Sequence, residues 1–115
     1  METQLLLFRK SGKTPFTEWL DSLKDSRAVG IVRARLNRLR LGNFGDCKTV
    51  GDGVEELRID FGPGYRVYFG RRDRLHVLVL CAGDKRTQNR DVLKAKKHWK
   101  EYLDAKGNDF DHVLS

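Results

Sequence analysis

The feature that most constrains this chain is a change in its hydrophobic period. From Phe16 to Leu41 the apolar residues recur at helical spacing, and from Val54 to Phe69 they alternate. "PFTEWLDSLK" places Phe16, Trp19, Leu20 and Leu23 on one helical face, with Pro15 suited to the first turn and Thr14 to the cap. A second helix is expected from Asp25 or Ser26 to about Leu41, ended by Gly42. Its buried stripe is Val29, Val32, Leu36 and Leu39, and Arg33, Arg35, Arg38 and Arg40 lie mainly outside it. The short link between the two helices predicts an antiparallel helical hairpin.

"NFGDCKTVGDG" (43–53) has no apolar period and reads as a loop. "VEELRIDFG" then alternates Leu57, Ile59 and Phe61 against Glu56, Arg58 and Asp60, and "YRVYFGRR" alternates Tyr65, Val67 and Phe69 against Arg66 and Tyr68. "LHVLVLCA" is apolar on both faces, as a central strand should be. These three strands, joined by short turns, form an antiparallel meander. "TQLLLFRK" (3–10) is a further strand, which must join the sheet to bury its side chains. After Asp84 helical spacing returns at Val92, Ala95, Trp99, Tyr102 and Leu103, with Thr87 or Asp84 at the start and Gly107 at the end. The expected fold is a two-layer α+β domain of order β-α-α-β-β-β-α, with the helices on one face of the sheet and the other partly open. It spans 1–107 as a single domain, and 108–115 is a C-terminal tail in which Val113 and Leu114 could dock.

The 115 residues suit one domain with a real core. The formal charge of +7 points to a polyanion or an acidic protein as partner, or to solubility alone. Cys47 and Cys81 match no zinc or redox spacing. Cys81 reads as a small core hydrophobe, and one disulfide between the two stays open. The N-terminus has no signal-peptide pattern, and no apolar run approaches the roughly 20 residues that span a bilayer, so the cytoplasm is the default compartment.

The meander brings Arg58 and Arg66 onto neighbouring antiparallel strands, opposite the helix-packed side. Like charges placed so need a reason: a bound anion, or salt bridges to Glu55, Glu56 or Asp60. Both readings stand on residues alone. "CAGDKRTQNRD" (81–91) follows the central strand and turns polar and basic within a few residues. Lys85 and Arg86 sit at the sheet rim, and a helix start near Thr87 would add amide groups beside Gln88 and Asn89. Local physics reads the same stretch as a solvated turn and a helix cap. His76, His98 and His112 have no ligand partner at metal spacing. There is no phosphate loop and no hydrolase serine motif. The last helix is strongly basic, which suits either a nucleic-acid backbone or ordinary solvated surface.

"GVEELRIDFGPGYRVYF" followed by "VLVLCAGDKRTQNRDVLKAKKHWKEY" resembles the RelE/ParE toxin superfamily, most closely the addiction-module killer branch of HigB-like and phage-type toxins. The resemblance runs from about Leu5 to about Tyr102. It implies a RelE-like fold and a bacterial type II toxin, an endoribonuclease that cuts mRNA on the ribosome and inhibits translation. The RNA's own 2′-hydroxyl is the nucleophile, and no metal or other cofactor takes part. The implied partners are a cognate antitoxin, often a helix-turn-helix DNA-binding protein, and the ribosome with its mRNA; no membrane is involved. Carried over by motif, Arg58 and Arg66 bind phosphate, Lys85 stabilises transition-state charge or moves a proton, and Tyr68 is a candidate general acid. Arg86, Gln88, Arg90 and Lys94 extend the RNA contact. "GDKRTQ" stands where some relatives carry a C-terminal His or Tyr, which leaves the acid–base assignment open. A gyrase-inhibiting ParE-like toxin and an inactive, antitoxin-binding regulator are the alternatives.

Overall fold

The computed structural model describes residues 2–105 and 111–113. In chain order the elements are β1 (Gln4–Phe8), α1 (Pro15–Ser22), α2 (Ser26–Arg40), β2 (Cys47–Gly51), β3 (Val54–Ile59), β4 (Tyr65–Arg71) and β5 (His76–Asp84). A 3-10 turn (Lys85–Thr87) leads into α3 (Gln88–Ala105), and β6 (Asp111–Val113) follows. The sheet order is β2-β3-β4-β5-β1-β6. β3, β4 and β5 form the expected antiparallel meander, while β1 lies parallel to β5, so the sheet is mixed. This is a two-layer α+β domain, the helical hairpin of α1 and α2 packed on one face of the sheet.

Strand alternation divides the core. Leu5, Leu7, Leu57, Val67, Phe69 and Val79 pack against Phe16, Leu20, Val32, Leu36 and Leu39 of the hairpin. Leu6, Phe8, Val54, Tyr68, Leu78 and Leu80 point the other way, against Ala95, Trp99 and Tyr102 of α3. α3 therefore covers part of the face that the sequence left open, rather than joining the hairpin. Its approach is set by glycine: a Cβ at Gly70 would sit 2.5 Å from the Trp99 ring. A bulge opposite Tyr68 and Phe69 leaves Leu80 of β5 as an extra residue, so the neighbours Leu80 and Cys81 both face α3.

Two expectations need correction. The stretch 43–53 is not all loop, because Cys47–Gly51 pairs antiparallel with β3. Asp52 and Gly53 have φ of +57° and +85°, the backbone a two-residue hairpin turn demands. β2 lies at the sheet edge, half-exposed and poor in apolar residues, so it shows no period. Arg35 is not on the solvent side of α2 but buried, its guanidinium lying over Gly45. At the C-terminus, β6 pairs with β1, whereas the boundary at 107/108, Gly107 and Leu114 lie outside the described residues.

Both thiols are free, and Cys81 is buried as expected. Among the described residues no helix is long and apolar enough to cross a membrane.

Candidate functional site

Arg58 and Arg66 are direct partners across the β3–β4 ladder. Like charges in that position repel, and the structure answers each one differently. Arg58 Nη2 donates to Asp46 Oδ1 at 3.1 Å, across to the loop before β2. Arg66 Nε lies 3.9 Å from Glu56 Oε1, a charge contact without a hydrogen bond. The Arg66 side chain is only 13% exposed, against 38% for Arg58.

Glu56, one of the three acids named as a possible salt-bridge partner of the arginines, is the one that lies against Arg66. Its position in the alternation puts it outside the hairpin core, but α3 covers that face, so it is wholly buried. Tyr68, its ladder partner, donates its hydroxyl to Oε2 at 3.0 Å, and the Gln88 amide donates to the same oxygen at 2.8 Å. A buried carboxylate is tolerable when donors and a cation surround it, and this one has two donors and Arg66. The Tyr68 phenol is held far above its usual value, first by burial and then by the Glu56 charge. Tyr68 is fully buried and its hydroxyl is spent on Glu56, so the geometry withdraws it as a general acid.

Lys85 meets this cluster across the β3–β4 turn. A Cβ at Gly64 would lie 3.4 Å from Arg66 Nη1 and 3.6 Å from Lys85 Cβ, so the two cationic side chains flank one glycine. Lys85 is exposed and makes no hydrogen bond or ion pair with any described residue. Asp84 caps the 3-10 turn, accepting from the Arg86 backbone amide at 2.8 Å, while Thr87 Oγ1 accepts from the Asp84 amide. Thr87 in turn donates to the buried Asp91 at 2.5 Å. That carboxylate lies where a Cβ at Gly83 would be, 1.8 Å away, so only glycine fits there. Hydrogen bonds from Arg86 hold the Asp84 carboxyl below its ordinary range.

An open cleft lies over this turn, lined by Lys85, Arg86, Thr87, Gln88, Asn89 and Arg90. Its cations are unequal. Arg86 is tied to Asp84, with Nη2 to Oδ2 at 2.9 Å, and Arg90 Nε stands 3.7 Å from Asp91 Oδ1. Lys94 is exposed, one turn further along α3. Of the expected residues, Arg58, Arg66 and Lys85 thus share one rim, Gln88 faces inward to Glu56, and Arg86, Arg90 and Lys94 extend along α3. His76 is elsewhere, bonded to Asp73 Oδ1 at 2.7 Å. His98 stacks on Phe8 with centroids 4.5 Å apart. Among the described residues no group of His, Cys, Asp or Glu is arranged to hold a metal ion.

The fold and this rim define a class: a small α+β domain with a paired-arginine strand face over a buried carboxylate. No family profile matches the chain. An uncharacterized protein of Haemophilus influenzae is 52% identical to it over 81 residues, covering 70% of this chain and 82% of that protein. The chain belongs to the same family as that protein.

Proposed function

We propose that this protein is a RelE/ParE-like toxin of a type II toxin–antitoxin system, acting in the cytoplasm as a metal-independent endoribonuclease on ribosome-bound mRNA. The observation that carries this reading is the approach of Arg66 and Lys85 to one point beside Gly64, with Arg58 opposite Arg66 in the ladder. A phosphodiester seated there would meet the Arg66 guanidinium, with Arg58 beside it in the ladder and the exposed Lys85 side chain able to swing in. In the reaction the 2′-hydroxyl gives its proton to water as its oxygen attacks the adjacent phosphorus, the P–O5′ bond breaks, and O5′ takes up a proton from water, giving a 2′,3′-cyclic phosphate and a 5′-hydroxyl. Arg66 and Arg58 stabilise the charge that builds on the non-bridging oxygens. Lys85, the exposed group, supports the leaving oxygen. Glu56 does not touch RNA; it holds Arg66 in place from below. The partner that silences the toxin is a cognate antitoxin with an acidic segment, bound more tightly at low salt.

The test is expression of the chain in cells with mapping of mRNA 5′ ends. New ends within reading frames, lost in Lys85→Ala, are expected. Growth arrest with intact mRNA would sink the reading, and loss of DNA supercoiling with normal translation would move it to gyrase.

A further inference from the structure

The positive charge of this protein is not concentrated at the rim just described. From Asp84 to Asp91 three cations face two acids, a net of +1. α2, by contrast, holds Arg27, Arg33, Arg35, Arg38 and Arg40 and no acid at all, a net of +5. Taking those five from the 23 Lys and Arg leaves 18, nearly balanced by the 16 Asp and Glu. One helix therefore carries most of the +7, and it packs on the sheet face opposite Arg66 and Glu56.

The outward side of α2 does not neutralise this charge internally. The side chains of Arg33 and Arg38 are exposed and make no hydrogen bond or ion pair with a described residue. Arg40 donates to Asn37 Oδ1 at 2.8 Å and has Glu2 3.8 Å away. Arg35 is buried beneath, its side chain without a hydrogen bond or ion pair among the described residues, and adds its charge from within. Between these arginines the surface is small or polar: Gly30, Ala34 and Asn37 are exposed. One large apolar side chain, Leu41 at the C-cap, is exposed at the end of this face, and none lies between Arg33 and Arg38.

That composition discriminates between partners. A protein partner needs an apolar, desolvated centre in its interface, and a single leucine at the end of the helix does not supply one. A phosphodiester backbone needs spaced cations, close approach and no apolar anchor. Arg33 and Arg38 are about 7.5 Å apart along the helix axis, so each can serve a different phosphate. We propose that the outward face of α2, centred on Arg33 and Arg38, is a second surface that docks the phosphate backbone of structured RNA without reading sequence. It does not depend on cleavage at the sheet rim.

The experiment is fluorescence-anisotropy titration of the full chain with a short labelled RNA duplex of arbitrary sequence, over a range of salt. Arg33→Gln/Arg38→Gln should weaken binding tenfold or more and lower the slope of log K against log salt by about 1.5 to 2, two phosphate contacts' worth. Arg33→Lys/Arg38→Lys should keep the slope. A double Gln variant within twofold of wild type, with unchanged slope, overturns the proposal, as does a wild-type chain that binds no duplex. Poly-glutamate that competes as well as RNA and is lost with the same variants overturns it in favour of an acidic protein. Cleavage is a separate readout: a chain that docks duplex through α2 and cuts nothing keeps this surface and loses the activity proposed above.

Discussion

The Tyr68 hydroxyl donates to Oε2 of Glu56 at 3.0 Å, and both side chains are wholly shielded from solvent. The phenol is thus a structural donor to a buried anion. Tyr68→Phe removes one of the two donors on that oxygen and leaves Gln88. The expected cost is about 1 to 3 kcal/mol, read from urea unfolding, since a buried acceptor loses a partner it cannot replace with water. RNA cleavage should stay within a few-fold of wild type. A loss of several orders of magnitude would return Tyr68 to the chemistry.

Arg66 should matter more than Arg58. It is the more enclosed, held between Glu56 and the Gly64 turn, whereas Arg58 is partly exposed and tied to Asp46. Arg66→Ala is expected to lower cleavage about 100- to 1,000-fold, and Arg58→Ala about tenfold. Arg66→Ala also strands Glu56 without its cation, a loss of about 3 to 5 kcal/mol for a buried pair. Glu56→Gln added to Arg66→Ala should recover part of that stability and none of the cleavage. Recovery of both would mean that Arg66 acts only through the fold.

The helical hairpin and the meander were legible because their apolar periods are long and unbroken. The Arg58–Arg66 pairing followed from the turn between their strands. β2 was missed although "DG" at 52–53 is a hairpin signal, because Cys47–Gly51 is an edge strand with no apolar face to betray it. Glu56 is legible as a salt-bridge partner, but its burial is not, for a different reason. Alternation says which side of a strand a residue faces, not what covers that side, and only the packing of α3 over the second face decides that Glu56 is buried. Arg35 misled in the same way, since a loop residue, Gly45, closes over it. Gly83 and Asp91 are eight residues apart in sequence, and nothing local says that one must lack a Cβ to make room for the other.

Asp84 joins the rim to the fold through the 3-10 turn. As a capping residue its replacement by Ala should cost about 1 kcal/mol. Its carboxyl titrates below the usual range because Arg86 and the turn amides bond its charged form. The folded state therefore releases this proton more readily than the unfolded chain. The stabilisation is complete above the ordinary Asp value of about 3.9 and fades as the pH falls through the lower folded value. Asp84→Asn should be less stable than wild type near neutrality, and the two should converge on acidification. A difference that is constant down to pH 2 would assign the cap to hydrogen bonding alone.

His98 acts in a different pH window and with the opposite charge. It stacks on Phe8, and burial depresses its pKa more than Glu101 raises it; Lys94 and Lys10 push it down further. Lys10 is itself paired with Glu101. The unfolded chain takes up a proton near the ordinary value of about 6.5, while the folded protein resists it, so stability falls as the pH drops below about 6.5 and levels off once folded His98 is charged. Chemical denaturation of wild type between about pH 7 and 5 should show this decline. His98→Gln, which cannot titrate, should flatten it in that interval while leaving the Asp84 effect at lower pH intact. An equal decline in both proteins would place the acid sensitivity in some other group.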